Sequence, residues 1–508
     1  MVEPTEAALG AAQLRAQGRA LRAPFVLRFG TVPLPGGADA VEFEVHCSAV
    51  LRLLPGKRLV AVGRWGRDTV LLKLFFGSRC AVAAARELSG LQVMNDAGFA
   101  TPDVIAQARL LPAHDHGHVL LLRYLDDAQP LSVVWRHADG AQRKWLLTTL
   151  ATRLAALHAS GAAHADLHFD NFLLDRDQMF AVDGGGVRRG PRFPVDEHAP
   201  AALAGVTPAA EAFGIDNLAL LLAQLPLQDA GLADAGLNAY ALARNWAPSA
   251  ARAVSFSESV ARQRALRVAR YLRKVYRECT EFTVVRTPLS LTVTQRDLAD
   301  ELRVVLADPD MAIAAGEGLK AGRSATVARV RGHRRWWVIK RYNVKGPLHA
   351  LRRASRRTRA EWSWRNGQRL KLLGIASALP VALQVETLGP LRGRGYLITE
   401  ALGGAPLDEK LRSGWRPDAA ALADIERILG GLLDQRLVHG DLKASNFVVT
   451  DEGVRLVDLD GMREVRDAER LARLFGRDIV RFHRNWADDP TLDAMFRPVT
   501  ARLVRPTR

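Results

Sequence analysis

Two stretches of the chain carry apolar residues at helical spacing and then break into the same polar signature. Trp145, Leu146, Leu150, Leu154 and Leu157 recur every three or four residues, and Gly161 follows where a helix would close. Leu422, Ile425, Leu429, Leu432 and Leu433 repeat that pattern. Each predicted helix leads into a polar loop, AAHADLHFDNFLL (162–174) or LVHGDLKASNFVV (437–449), sharing His-x-Asp-Leu-x-x-x-Asn-Phe. A short strand comes next, MFAVDGG reaching Asp183 or VRLVDLDG reaching Asp458.

Upstream of each loop the period changes from helical to alternating. KRLVAVGRWGRDTVLLKLF predicts two strands with a turn at Trp65 to Asp68 and Lys73 on the second strand. SATVARVRGHRRWWVIKRY predicts the same with a turn at Gly332-His333 and Lys340 on the second strand. A helical segment follows each lysine and closes in Gly98 or Gly374. A repeat of this length sets the domain plan. It gives a first domain at 25–285 and a second at 286–508, divided where helical periodicity yields to β-rich VVRTPLSLTVTQ, with residues 1–24 a flexible, poorly packed Ala-rich arm.

With 508 residues, 48% hydrophobic and 25% charged, the composition is that of two to four globular domains and excludes a single small module. Cys47, Cys80 and Cys279 are too few and too scattered for a disulfide framework or a cysteine-rich zinc site. The opening MVEPTEAALGAAQLRAQ lacks a compact apolar core, and no apolar run approaches about 20 residues, so a cytoplasmic chain with at most peripheral membrane contact is expected. Lys and Arg outnumber Asp and Glu by 71 to 54, a balance of +17 that suits anionic partners. The basic residues crowd between Arg329 and Lys371, where Arg352, Arg353, Arg356, Arg357 and Arg359 alternate with Trp336, Trp337, Trp362 and Trp364. Such a segment fits an anionic membrane surface or nucleic acid. Nucleic acid ranks last, since the sequence has no helix-turn-helix, finger or RNA-binding signature.

Phosphoryl transfer from a nucleotide needs a cation on the phosphates, oxygen ligands for Mg²⁺ and a carboxylate facing the acceptor hydroxyl. Each half supplies these in order. In the first, Lys73 would meet the phosphates, Glu87 would orient it, Asp166 would face the hydroxyl, and Asn171 and Asp183 would hold the metal. In the second the matching residues are Lys340, Asp441, Asn446 and Asp458. An oxygen set of this kind suits Mg²⁺ rather than zinc, so His164 and His439 are expected to pack the loops rather than bind metal.

These residues resemble the protein kinase-like superfamily. More narrowly, RLLPGKRLV with VLLKLF, and RAEWSWRNGQRL with HGDLKASNF and VDLDGM, are similar to the bacterial lipopolysaccharide kinases, the InaA-like group of core heptose and Kdo kinases, in two tandem copies. The resemblance implies an α+β fold of two tandem bilobed kinase-like domains, each a small antiparallel-sheet lobe plus a larger mainly helical lobe. It implies an ATP- and Mg²⁺-dependent kinase acting on sugar hydroxyls of the lipopolysaccharide inner core. The partners implied are the lipopolysaccharide core or a lipid A-linked oligosaccharide, met at the anionic inner-membrane surface. A protein Ser/Thr/Tyr kinase of the same fold would use the same residues, and a nucleotide-binding scaffold without turnover is the alternative from another class.

Four departures shape the expectation for each half. No full Gly-x-Gly-x-x-Gly is present, so Lys57, Arg58, Lys320 and Arg323 with backbone amides would grip phosphate. His168 stands where the second half has Lys443, a catalytic-loop cation, which makes the second half the more complete set and the faster site. Asp460 follows Asp458 as a competitor for the metal. The register of Glu87, eleven before the closing glycine, holds Ser363 in the second half, and the nearest acid, Glu361, is two positions off, about 200° around a helix.

Overall fold

The computed structural model describes residues 8–31, 41–112, 116–189, 208–322, 324–343, 357–388 and 391–503. The chain forms two compact units, Met1–Gln224 with Gly231–Arg264, and Leu225–Ala230 with Ala265–Arg508. Both mix helix and sheet. The division lies inside the helix Ala250–Lys274 rather than at 285/286. Residues beyond Arg264 join the second core: Val275 and Phe282 pack with Trp364, whose indole Nε1 donates to Val275 O at 3.0 Å. Helical periodicity finds the helix there but not the core to which its end belongs.

The sheet of the first unit is a closed barrel of β1 (Phe25–Thr31), β2 (Glu42–Leu54), β3 (Arg58–Trp65), β4 (Asp68–Phe76), β5 (Val104–Leu110) and β6 (Gly117–Arg123), in the order β1-β2-β3-β4-β6-β5. β1 closes it by pairing with both β2 and β5. Leu27, Phe29, Val45, Leu59, Leu72 and Leu121 fill the interior. The N-terminal segment is not a loose arm throughout: Ala11–Gln17 is a helix, and Ala11, Leu14 and Leu21 are buried in the barrel cluster. Few large side chains suffice when, like Ala11 and Leu14, they share one helical face. On β4, Lys73 stands opposite Val60 of β3 and Leu120 of β6.

Past the barrel, the helix Gly140–Ala159 starts at Asp139, whose side chain caps Gln142 N. It buries Leu146, Leu150, Leu154 and Leu157, leaves Trp145 half exposed, and ends before Gly161, whose φ of 72° suits glycine. The strand Ala162–His164 pairs antiparallel with Val187–Arg189, and Phe172–Asp175 pairs with Gln178–Ala181. These two short pairings hold the polar loop at 165–171 and the turn at 182–186 side by side.

In the second unit a seven-stranded antiparallel sheet runs Phe282–Arg286, Ser290–Gln295, Pro380–Leu388, Leu391–Glu400, Trp336–Tyr342, Ala325–Arg331, Glu317–Ala321. Both faces are apolar. Trp337, Ile339 and Ile398 pack with Leu302 on one, and Tyr342, Leu383 and Leu397 pack with Trp364 on the other. Lys340 stands opposite Val327, as Lys73 stands opposite Val60. A helical core then gathers Ile425, Leu429, Leu432, Phe447, Phe482 and Phe496.

The aromatic and basic segment divides between roles. Trp337 and Trp364 are fully buried and so are unavailable to stack on bases or sit among lipid headgroups. Arg329 and Arg331 both lie over Trp336, 4.7 and 5.1 Å from its ring centre, and Arg357 lies over Trp362 at 5.7 Å. Arg323, Arg352, Arg353 and Arg356 fall outside the described residues. Among the described residues no helix is long and apolar enough to cross a membrane.

Candidate functional site

In the first unit the barrel and the helix Cys80–Asp96 hold a buried ion pair. Lys73, 4% exposed, donates from Nζ to Glu87 Oε1 and to the carbonyl of Val182, and Glu87 is 1% exposed. Glu87 Oε1 also accepts Gly184 N at 3.2 Å, and its Oε2 faces Arg58 at 3.8 Å. The turn after Asp183 has to be glycine: a Cβ on Gly184 would lie 2.2 Å from the carbonyl of Glu87. Gly184 and Gly185 therefore bring the Asp183 turn against the helix that carries Glu87.

His164 joins that turn to the polar loop. Its Nε2–H donates to Asp183 O at 2.9 Å, and its Nδ1 accepts Asp166 N at 3.3 Å, a pairing that sets its tautomer. Asn171 Nδ2 donates to Asp166 O at 2.7 Å, which leaves the amide oxygen as the acceptor of that side chain. The Asp166 carboxylate is 76% exposed, and His168 Nε2 lies 3.8 Å from it. Burial pushes the His168 imidazole below its ordinary pKa and outweighs Asp166, Asp170 and Asp183, so the ring is neutral at pH 7. Burial opposes ionisation of Asp183, but Lys73, Arg58, His164 and the Gly185 N–H at 3.1 Å outweigh it and hold its carboxyl below the usual range. Lys73, Arg58, Asn171 and Asp183 line a cleft of about 300 Å³ with Val60 and Leu71. Lys57 is exposed at the turn beside Arg58.

The second unit brings the matching residues together differently. Lys340 Nζ donates to Asp458 Oδ1 at 2.5 Å and lies 3.8 Å from Asp460, which also accepts from Arg359. Asp458 is held below and Asp460 above the usual carboxylate range. Burial raises both, and the attraction of Lys340 wins at Asp458 while the charge of Asp458 adds to burial at Asp460. Asp441 is gripped by Arg481 and by Lys443 at 3.2 Å. Asn446 Nδ2 donates to Asp441 O at 2.8 Å, as Asn171 does to Asp166 O. Lys320 is exposed on its edge strand.

Glu361 is not the partner of Lys340. It caps its own helix: Oε2 accepts Thr358 N at 2.7 Å while Thr358 Oγ1 accepts Glu361 N at 3.1 Å, and Arg392 lies 3.9 Å away. The two-residue offset turns it from the lysine. Ser363 occupies the register of Glu87 and bonds the hydroxyl of Tyr342 at 2.8 Å. The second half, expected to be the more complete, therefore lacks the helix carboxylate.

Several positioning residues escape a motif reading. In the first unit Asn217 Nδ2 donates to His164 O at 3.0 Å, and His158 bridges Asn217 Oδ1 and Tyr240 OH. In the second, buried Asp478 accepts Gly440 N at 3.0 Å. The available signal was a polar residue on the apolar face of a helix, which is costly unless it is bonded. His164 and His439 are both buried and bonded to backbone carbonyls.

As to metal, no cluster of three or more His, Cys, Asp or Glu among the described residues could hold an ion alone. An ion would need oxygens of the ligand, the usual habit of Mg²⁺ beside phosphates. The oxygen donors of Asn171 and Asp183 fit that role in the first unit.

Residues 60–185 match the model of the lipopolysaccharide kinase (Kdo/WaaP) family. The matched span lies in the first unit and holds Lys73, Glu87, Asp166, Asn171 and Asp183. A solved structure described as WaaP in complex with acyl carrier protein is 18% identical, over 42% of this chain and 89% of that one, with a TM-score of 0.31. No curated protein matches the chain.

Proposed function

We propose that the first unit is an ATP- and Mg²⁺-dependent kinase that phosphorylates a sugar hydroxyl of the lipopolysaccharide inner core. The observation that carries this reading is the buried Lys73–Glu87 pair beside Asp183, inside the span that matches the lipopolysaccharide kinase family. Lys73, fixed by Glu87, offers its ammonium to the phosphates, and Arg58 adds a second cation at the cleft wall. Asn171 and Asp183 would hold the magnesium, which when bound draws charge from the phosphate oxygens. Asp166 faces solvent and accepts the proton of the acceptor hydroxyl as the new oxygen–phosphorus bond forms and ADP leaves. His168, being neutral, leaves that carboxylate free of a cation.

The tandem arrangement is kept in this proposal as two kinase-like units with different completeness. The acceptor is an anionic glycolipid, the lipopolysaccharide core or a lipid A-linked oligosaccharide, met at the anionic inner-membrane surface, and the +17 charge of the chain suits that encounter. The test is phosphate transfer from labelled ATP with Mg²⁺, offered purified lipopolysaccharide core or a generic protein. Transfer to the core, lost in Lys73→Met, is expected. Transfer to protein alone would move the acceptor to the Ser/Thr/Tyr class. No transfer to either would overturn the kinase reading.

A further inference from the structure

We infer that the second unit takes no divalent cation, so that the chain has a single metal–nucleotide site, the one at Asp183. The inference rests on the kinase reading of the first unit. Its basis is how each carboxylate is already spent. In the second unit Asp458 is bonded by Lys340, Asp460 by Arg359 with Lys340 at 3.8 Å, and Asp441 by Arg481 and Lys443. A metal at Asp458 would have to displace Lys340 from a hydrogen-bonded contact and leave that partly buried ammonium without an equivalent partner. Among the described residues the other acid within reach is Asp460, at 3.8 Å and already bonded by Arg359. Glu361 is committed to the helix cap, and Ser363 to Tyr342.

The first unit has the opposite arrangement. Lys73 is satisfied by Glu87 and by the carbonyl of Val182, so Asp183 is spared as its partner. Asp183 accepts a backbone N–H from Gly185, and among the described residues no cation lies within ion-pair distance of its carboxylate. The two aspartates also differ in backbone: Asp458 lies in the left-handed region at φ 60°, and Asp183 does not. The Asp183 carboxylate thus feels Lys73 and Arg58 without being bonded to either, whereas the Asp458 carboxylate is bonded to Lys340.

The test uses Mn²⁺ in place of Mg²⁺ on the full chain with a non-hydrolysable ATP analogue, read by electron paramagnetic resonance. One Mn²⁺ per chain is expected. Asp458→Asn should leave stoichiometry and affinity within about twofold, whereas Asp183→Asn should weaken binding by at least roughly 10- to 100-fold, the loss that follows removal of even an outer-shell partner of a metal ligand. Loss of a Mn²⁺ in Asp458→Asn would overturn the inference. An unchanged Asp183→Asn would instead count against the kinase reading on which it rests. A second variant works by gain: Lys340→Met frees the Asp458 carboxylate and should add a weak second Mn²⁺. Absence of that second ion in a folded variant would show that the lysine is not what excludes metal.

Discussion

Lys73 and Lys340 occupy the same place in their hairpins, opposite Val60 and Val327, and keep different company. Lys73 is bonded to a helix glutamate and Lys340 to the aspartate at the end of the following strand. The difference comes from the helix between them. Glu87 stands eleven residues before Gly98, and in the second unit that register holds Ser363, with Glu361 turned into the helix cap. Two residues of offset thus redirect a lysine and spend a carboxylate that the first unit keeps for other work. Matching loop motifs do not make matching sites.

The comparison can be broken at the helix glutamate. Glu87→Gln leaves the buried Lys73 without its carboxylate, and removal of one partner from a buried pair costs roughly 3 to 5 kcal/mol. Denaturant unfolding should show that loss, and titration of the Mg²⁺–nucleotide should show weaker binding as Lys73 turns toward Asp183. A next, smaller effect is pH dependence in the first unit. Burial lowers His158 to about 4, below the reference value of about 6.5 for an unfolded chain. Its folded pKa being depressed, stability is complete above about pH 6.5 and falls as pH drops toward 4, by about 3 kcal/mol. Denaturation midpoints at pH 7 and 4.5 measure the slope, and His158→Gln should flatten it.

Glu361→Ala gives the counterpart to the first of these. Losing its half of a capping box should cost about 1 kcal/mol and leave nucleotide affinity unchanged, as read by the same two measurements. Smaller still is the basic face of the second unit. Arg357→Gln should weaken binding to anionic vesicles by about 1 kcal/mol, and less at high salt.

What the sequence made legible was local. The alternation around Lys73 and Lys340, the amphipathic helices before each polar loop and the order of Asp166, Asn171 and Asp183 all follow from short-range periodicity and turn chemistry. The closure of the barrel by β1 and β5, and the capture of residues 265–285 by the second core, depend on tertiary pairing that no local pattern encodes. The proposal ranks the two sites the other way for the same reason. Lys443 is visible in a motif, but Arg481 reaches Asp441 from 40 residues away and Lys340 reaches Asp458 across 118. Completeness of a motif does not report the long-range ion pairs that engage Asp441 and Asp458 in the second unit.

The central claim is that phosphoryl transfer belongs to the first unit, and the full chain tests it with one substitution in each. Initial rates of ATP-dependent phosphorylation of lipopolysaccharide core are compared for Asp166→Asn and Asp441→Asn. The account predicts a loss of about 10²- to 10⁴-fold for Asp166→Asn, the range expected when a positioned base is removed. It predicts a change of no more than about twofold for Asp441→Asn, whose carboxylate is engaged by Arg481 and Lys443. A large loss in Asp441→Asn with Asp166→Asn near the wild-type rate would contradict it.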